Sequence, residues 1–96
     1  GAEGVISVAS NVIPREMGAM VRLALAGDFA GARALHAKYY RLFRDLFIDV
    51  NPVMVKEAMS MTGAIERVFR LPLCETTDAN LAKMRATLVA LGLLAD

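Results

Sequence analysis

Gly4-Val5-Ile6-Ser7-Val8-Ala9-Ser10-Asn11-Val12 is the stretch on which the fold class turns. Val5 to Val8 is a short, mainly β-branched run between Gly4 and the polar Ser10-Asn11 pair, which reads as one buried strand. A strand apolar on both faces belongs inside a parallel sheet with helices over it. No later stretch of the 96 residues reads as a second strand. The expected fold is therefore mainly α: one strand at about 4–8, its neighbours missing, and then about four or five helices.

Helical signals follow in order. Asn11 is a candidate N-cap, Pro14 suits a first turn, and Met17, Met20, Val21, Ala24 and Leu25 recur at helical spacing until Gly27. Asp28 can cap the next helix, in which Leu35, Tyr39, Leu42 and Leu46 form a stripe widened by Phe43 and Phe47. Its opposite face carries Arg33, Lys38, Arg41 and Asp45. Asn51-Pro52 opens a third helix as a cap followed by proline at the first helical position, and Gly63 closes it. Residues 64–69 allow another helical turn or two, and Leu71-Pro72-Leu73 reads as an extended connector. Thr77 and Asp78 open the last helix, with Leu81, Met84, Leu88 and Leu91 on one face before Gly92.

Composition narrows the function classes. A length of 96 residues allows one small core. Hydrophobic residues reach 56%, above the roughly 45–50% of soluble domains, which suits helices and a partner surface. Eleven basic residues against ten acidic ones leave a net charge of +1, so there is no large positive field to hold nucleic acid or an anionic membrane. Cys74 is the sole cysteine, which excludes an internal disulfide and a Cys-rich metal site and fits a reducing, cytoplasmic setting. Charged residues and glycines interrupt every apolar run before the roughly 20 residues of a membrane helix. Gly1-Ala2-Glu3-Gly4 resembles neither a signal peptide nor an initiator sequence and reads as a cut inside a longer protein.

Periodicity gives no chemistry; three stretches give a resemblance. Gly4 to Val12 resembles the last barrel strand and following turn of the dihydrodipicolinate synthase and N-acetylneuraminate lyase superfamily. Asn51-Pro52-Val53-Met54-Val55-Lys56-Glu57-Ala58 is similar to the Asn-Pro-x-x-Val-Lys segment of the synthases, apart from Met54, where they often have proline. Arg70-Leu71-Pro72-Leu73 and Gly92-Leu93-Leu94 resemble their tail, and order and spacing agree along nearly the whole chain. The resemblance implies the carboxy-terminal third of a (β/α)8 barrel, with its last strand and turn at 1–12 and a helical region at 13–96. It also implies a class I aldolase that condenses pyruvate with aspartate semialdehyde through a lysine Schiff base and a tyrosine-centred proton relay, on the route to lysine and diaminopimelate. The Schiff-base lysine, the relay and the carboxylate-binding arginine would all precede this segment. Lys38, Lys56 and Lys83 stand in no matching context, so the chain alone is expected to be inactive, with no catalytic residue, cofactor or metal ligand of its own. The one active-site position carried over is Ile6, whose backbone carbonyl would face bound pyruvate while its side chain packs as a core strand residue.

The remaining chemistry-bearing residues have plainer roles. Ser7 and Asn11, near the same rim, are expected to make turn or cap hydrogen bonds. His36 lacks metal-ligand company and a nearby nucleophile, and reads as a helix-surface or packing residue. Cys74 reads as a buried inert thiol, and the six methionines as core gap-fillers. Of Tyr39-Tyr40, one ring is expected in the core and the other at a surface or interface, neither being the catalytic tyrosine. Lys56 is expected to fix its helix through an ion pair or a backbone carbonyl.

Two other classes compete with the lyase part. One is a self-associating helical module joined through Leu35, Tyr39, Leu42, Phe43 and Leu46; the other is a related sialic acid or keto-deoxy sugar acid lyase, against which the Asn-Pro-x-x-Val-Lys segment speaks. A helical nucleic-acid binder ranks lowest, because no helix gathers base-reading and phosphate-binding residues. A strand without neighbours and helices without a barrel leave unpaired backbone and uncovered apolar stripes, so the free chain is expected to associate with copies of itself.

Overall fold

The computed structural model describes residues 1–96: helices α1 (Pro14–Leu25), α2 (Phe29–Asp45), α3 (Val53–Met61) and α4 (Asp78–Ala90) follow a short 3-10 turn at Ala9–Asn11. The mainly α expectation holds. No strand forms at 4–8: residues 1–6 have no regular structure and make no backbone hydrogen bond within the chain. A ladder needs a second strand, and the chain supplies none.

Local chemistry sets the helix limits. Pro14 takes the first position of α1, where a missing N–H costs nothing, but the residue before it is Ile13. Asn11 is thus not the N-cap; its side-chain amide donates to the Val8 carbonyl at 3.1 Å inside the 3-10 turn. Asp28 caps α2 by accepting from the Gly31 N–H at 2.9 Å, and Thr77 caps α4 by accepting from the Asn80 N–H at 3.3 Å. Pro52 sits at the cap of α3 rather than its first position. Gly27, Gly63 and Gly92, with φ of 82°, 76° and 70°, turn the chain out of three helices as expected. Each closure is completed by the next N–H, such as Asp28 N to the Leu23 carbonyl at 2.9 Å.

Residues 64–69 are not helical, and Leu71-Pro72-Leu73 lies in a turn rather than an extended run, with the Leu73 N–H donating to the Arg70 carbonyl at 3.0 Å. Gly63 ends the helical hydrogen bonding before this stretch, and no buried surface rewards its resumption.

The core is one cluster. Tyr39, Leu42 and Leu46 of the α2 stripe meet Met54, Val55 and Ala58 of α3 and Met84 and Leu88 of α4, with Ala9 and Ile13 closing it from the amino-terminal side. Tyr39 is buried and Tyr40 exposed, in the division expected of the pair. Met54 and Met84 are fully buried. Asp45, expected on the solvent face, is fully buried and accepts from the Thr87 hydroxyl at 2.6 Å and from Arg44 at 2.8 Å. Cys74, expected inside, is exposed, because the connector that carries it adds nothing to the core.

This core is thin for the length. The accessible surface is 6163 Å², against about 5,400 Å² for a folded monomer of this mass. The radius of gyration is 14.2 Å, against about 12.5 Å for a compact domain of 96 residues. Residues 1–6 are exposed throughout, most of 62–75 is exposed, and none of the twelve residues of α1 is fully buried.

Candidate functional site

The uncovered face of α1 opens onto a groove. Met17, Met20, Val21 and Ala24 form one wall, residues 5–9 lie along it, and Phe43 and Phe47 of α2 close the far side around about 490 Å³. His36 brings a polar group to the lining, its ring 5.8 Å from that of Tyr40 and 5.5 Å from that of Phe43, as a packing residue of α2. The groove holds no charged residue, so it suits apolar contact rather than ionic substrates.

Ile6 stands at the edge of this groove. Its side chain is fully exposed at 105%, contrary to the expected core placement. A strand residue acquires a core only from the sheet around it, and residues 1–6 here have no neighbour on either side. Ser10 bonds back to Ser7 through both its hydroxyl and its N–H, the latter 3.3 Å from the Ser7 hydroxyl. Ser7 and Asn11 thus serve the turn, as their residue types suggested.

A second concentration of polar groups lies where the connector crosses α3. Glu57 is fully buried and accepts two hydrogen bonds from the Arg67 guanidinium, Nε at 2.7 Å and Nη2 at 3.0 Å, with the Thr76 N–H at 3.4 Å. This fork-to-fork pairing holds the Arg67 guanidinium still further above its ordinary range. Arg67 also meets Glu75 at 3.0 Å. Beside them the Thr76 hydroxyl donates to Asp49, which also accepts from the Val50 N–H at 2.7 Å; these two bonds, the hydroxyl first, keep the Asp49 carboxyl below the usual carboxylate range. Every buried side-chain polar atom has a partner. The arrangement is a fastening rather than a reactive centre, since each strong acceptor already has its donors.

The lysines are dispersed. Lys56 donates to the Val68 carbonyl and lies 4.9 Å from the Phe69 ring centroid, so it anchors through a backbone carbonyl and not an ion pair. Lys38 lies 5.2 Å from the Tyr39 ring centroid on an exposed helix face, and Lys83 is exposed on α4. None of the three lines the groove. No group of three or more His, Cys, Asp or Glu side chains is gathered in one place, and no helix is long and apolar enough to cross a membrane.

Sequence reasoning missed the Glu57–Arg67 and Asp45–Thr87 pairs. Partners 10 and 42 residues apart lie beyond any helical repeat. The available signal was local: Glu57 follows Met54 by three residues and Asp45 follows Leu42 by three, which puts both carboxylates beside the apolar stripe.

A helical layer with an unpaired amino-terminal segment and one uncovered apolar helix is the outer part of an α/β architecture. The chain belongs to the dihydrodipicolinate synthetase family, whose model matches residues 1–91. It is 51% identical over 88 residues to the 4-hydroxy-tetrahydrodipicolinate synthase of Aquifex aeolicus, covering 92% of this chain and 30% of that protein. The corresponding enzyme of Chlorobaculum parvum is 47% identical over 94 residues, covering 98% of this chain and 32% of that one. The crystal structure of the Aquifex aeolicus dihydrodipicolinate synthase superposes with a TM-score of 0.95 at 48% identity, over 100% of this chain and 33% of that chain. This chain therefore spans about a third of the length of the relatives it matches.

Proposed function

We propose that this chain is the carboxy-terminal part of a 4-hydroxy-tetrahydrodipicolinate synthase, a Schiff-base aldolase joining pyruvate to aspartate semialdehyde. Its role there is to close the barrel and support an active site whose lysine lies elsewhere. The observation that carries this reading is the match of nearly the whole chain, at 47–51% identity, to one third of such enzymes. The unpaired residues 1–6 supply the place for a last strand, and on this reading the Ile6 carbonyl faces pyruvate. Alone, the chain has no amine poised for imine formation and is inactive.

Borohydride trapping with pyruvate, applied to the full protein that carries this sequence, tests the assignment. The expected adduct is on a lysine outside residues 1–96. An adduct on Lys38, Lys56 or Lys83, or none at all, overturns it.

A second reading concerns the isolated chain. Residues 1–6 have unpaired backbone, and Val5, Ile6 and Phe47 are exposed beside an apolar groove, so copies of the chain associate through this face. Sedimentation equilibrium checks this; a monodisperse monomer rules it out.

A further inference from the structure

The connector between α3 and α4 half-buries Ile65, Phe69 and Leu73 but adds nothing to the main core, and its specific attachments to the body are polar or cationic. No apolar residue of 65–76 belongs to the buried cluster or packs against it; Val68 and Leu71 are 59% and 91% exposed. Its fastenings are the Lys56 amine on the Val68 carbonyl, the Lys56 cation beside the Phe69 ring, the Arg67 fork on Glu57, and Thr76 on Glu57 and Asp49. The partners on the body side are Asp49, Lys56 and Glu57, together with Asn80 of α4, whose side-chain amide donates to the Thr76 hydroxyl at 2.9 Å. Helix α4 needs none of these contacts to stay docked. It has Met84 and Leu88 in the core, the Thr87 bond to Asp45, and its own Thr77 cap.

We propose that residues 65–76 form a latched strap, with the Glu57–Arg67 pair as its latch, and that the strap opens as a unit while α3 and α4 remain packed. Glu57 is fully buried under the strap, whereas the Arg67 side chain is 38% exposed, so the cation side of the latch is open to screening. Losing Arg67 leaves a buried carboxylate without its counter-charge, and lifting the strap is the shortest way to hydrate it. Opening also releases Thr76 from Asp49, so the two ends of the strap let go together. The Arg67–Glu75 contact joins two strap residues and does not hold the strap to the body.

Hydrogen exchange followed peptide by peptide in the full protein that carries this sequence tests the latch. In Arg67→Ala, exchange across 65–76 is expected to rise by at least roughly tenfold while the α4 amides keep their protection. Arg67→Lys, which keeps the charge and loses the fork, gives an intermediate rise. Unchanged exchange in Arg67→Ala overturns the proposal, and so does equal acceleration of strap, α3 and α4. Should Arg67→Ala not fold, Arg67→Lys decides the matter: faster exchange confined to 65–76 supports the latch, and unchanged exchange, or equal acceleration of strap, α3 and α4, overturns it.

Discussion

The Thr87 hydroxyl on α4 donates to the Asp45 carboxylate on α2 at 2.6 Å, with both residues fully buried, and so ties the last helix to the second across 42 positions of sequence. Arg44 occupies the other carboxylate oxygen at 2.8 Å, while Arg41 stands off at 3.7 Å from the one that Thr87 serves. Thr87→Val keeps the volume and removes the donor. The expected loss is about 1–3 kcal/mol of unfolding free energy, the range for a buried acceptor left short of a partner. Urea unfolding measures it, and a loss within error would mean that Arg41 moves in to compensate.

Asp49 makes acid stability depend on the Thr76 hydroxyl. Its carboxyl titrates below the ordinary value in the folded chain, so the folded state favours the ionised form. That contribution is fully present above the unfolded carboxylate value of about 3.9 and is lost as pH falls through the lower folded value. Thr76→Val is expected to move the Asp49 titration upward in a carbon-detected NMR titration. An unmoved midpoint would assign the shift to the Val50 N–H and the Asn80 side chain.

Leu42 and Ile6 are apolar residues of similar size in opposite surroundings. Leu42 is fully buried between α2, α3 and α4, and Leu42→Ala is expected to cost about 2–5 kcal/mol. Ile6 is fully exposed in the single chain, and at dilutions where the isolated chain is monomeric Ile6→Ala is expected to change stability by no more than about 0.5 kcal/mol. Chemical denaturation of the two variants side by side checks both. A large effect at Ile6 at higher concentration would mean that copies of the chain bury it.

Gly27 ends α1 at a φ of 82°, where a Cβ meets no neighbouring atom. Gly27→Ala therefore probes backbone conformation alone, and the expected cost is about 1–2 kcal/mol. Thermal unfolding measures it; a neutral result would show that the turn relaxes out of the left-handed region.

Much of this architecture is legible in the sequence because it depends on local chemistry. Pro14, Asp28, Thr77, Gly27, Gly63 and Gly92 act within one helical turn of themselves, and each does what its residue type suggests. The α2 stripe likewise needs only a repeat. Ile6, Asp45 and Cys74 were misplaced because burial is decided by distant elements: an absent sheet for Ile6, α4 for Asp45, and a connector lying outside the core for Cys74. The polar fastening at Glu57 was hidden for the same reason, since the residues that complete it come from the segment with the weakest pattern. The family was legible from Gly4–Val12 and Asn51–Ala58, whose residue order is more specific than their periodicity.

Helix α1, with twelve residues and none of them buried, carries a consequence for how the isolated chain melts. Helices of this length are marginal in water unless packing supports them, and here the packing is confined to half-buried contacts. On warming, α1 frays before α2, α3 and α4 separate. Far-ultraviolet ellipticity will then begin to fall at a temperature where the Tyr39 environment is still native. The two transitions will not coincide, and the van't Hoff enthalpy of the isolated chain will fall short of its calorimetric value.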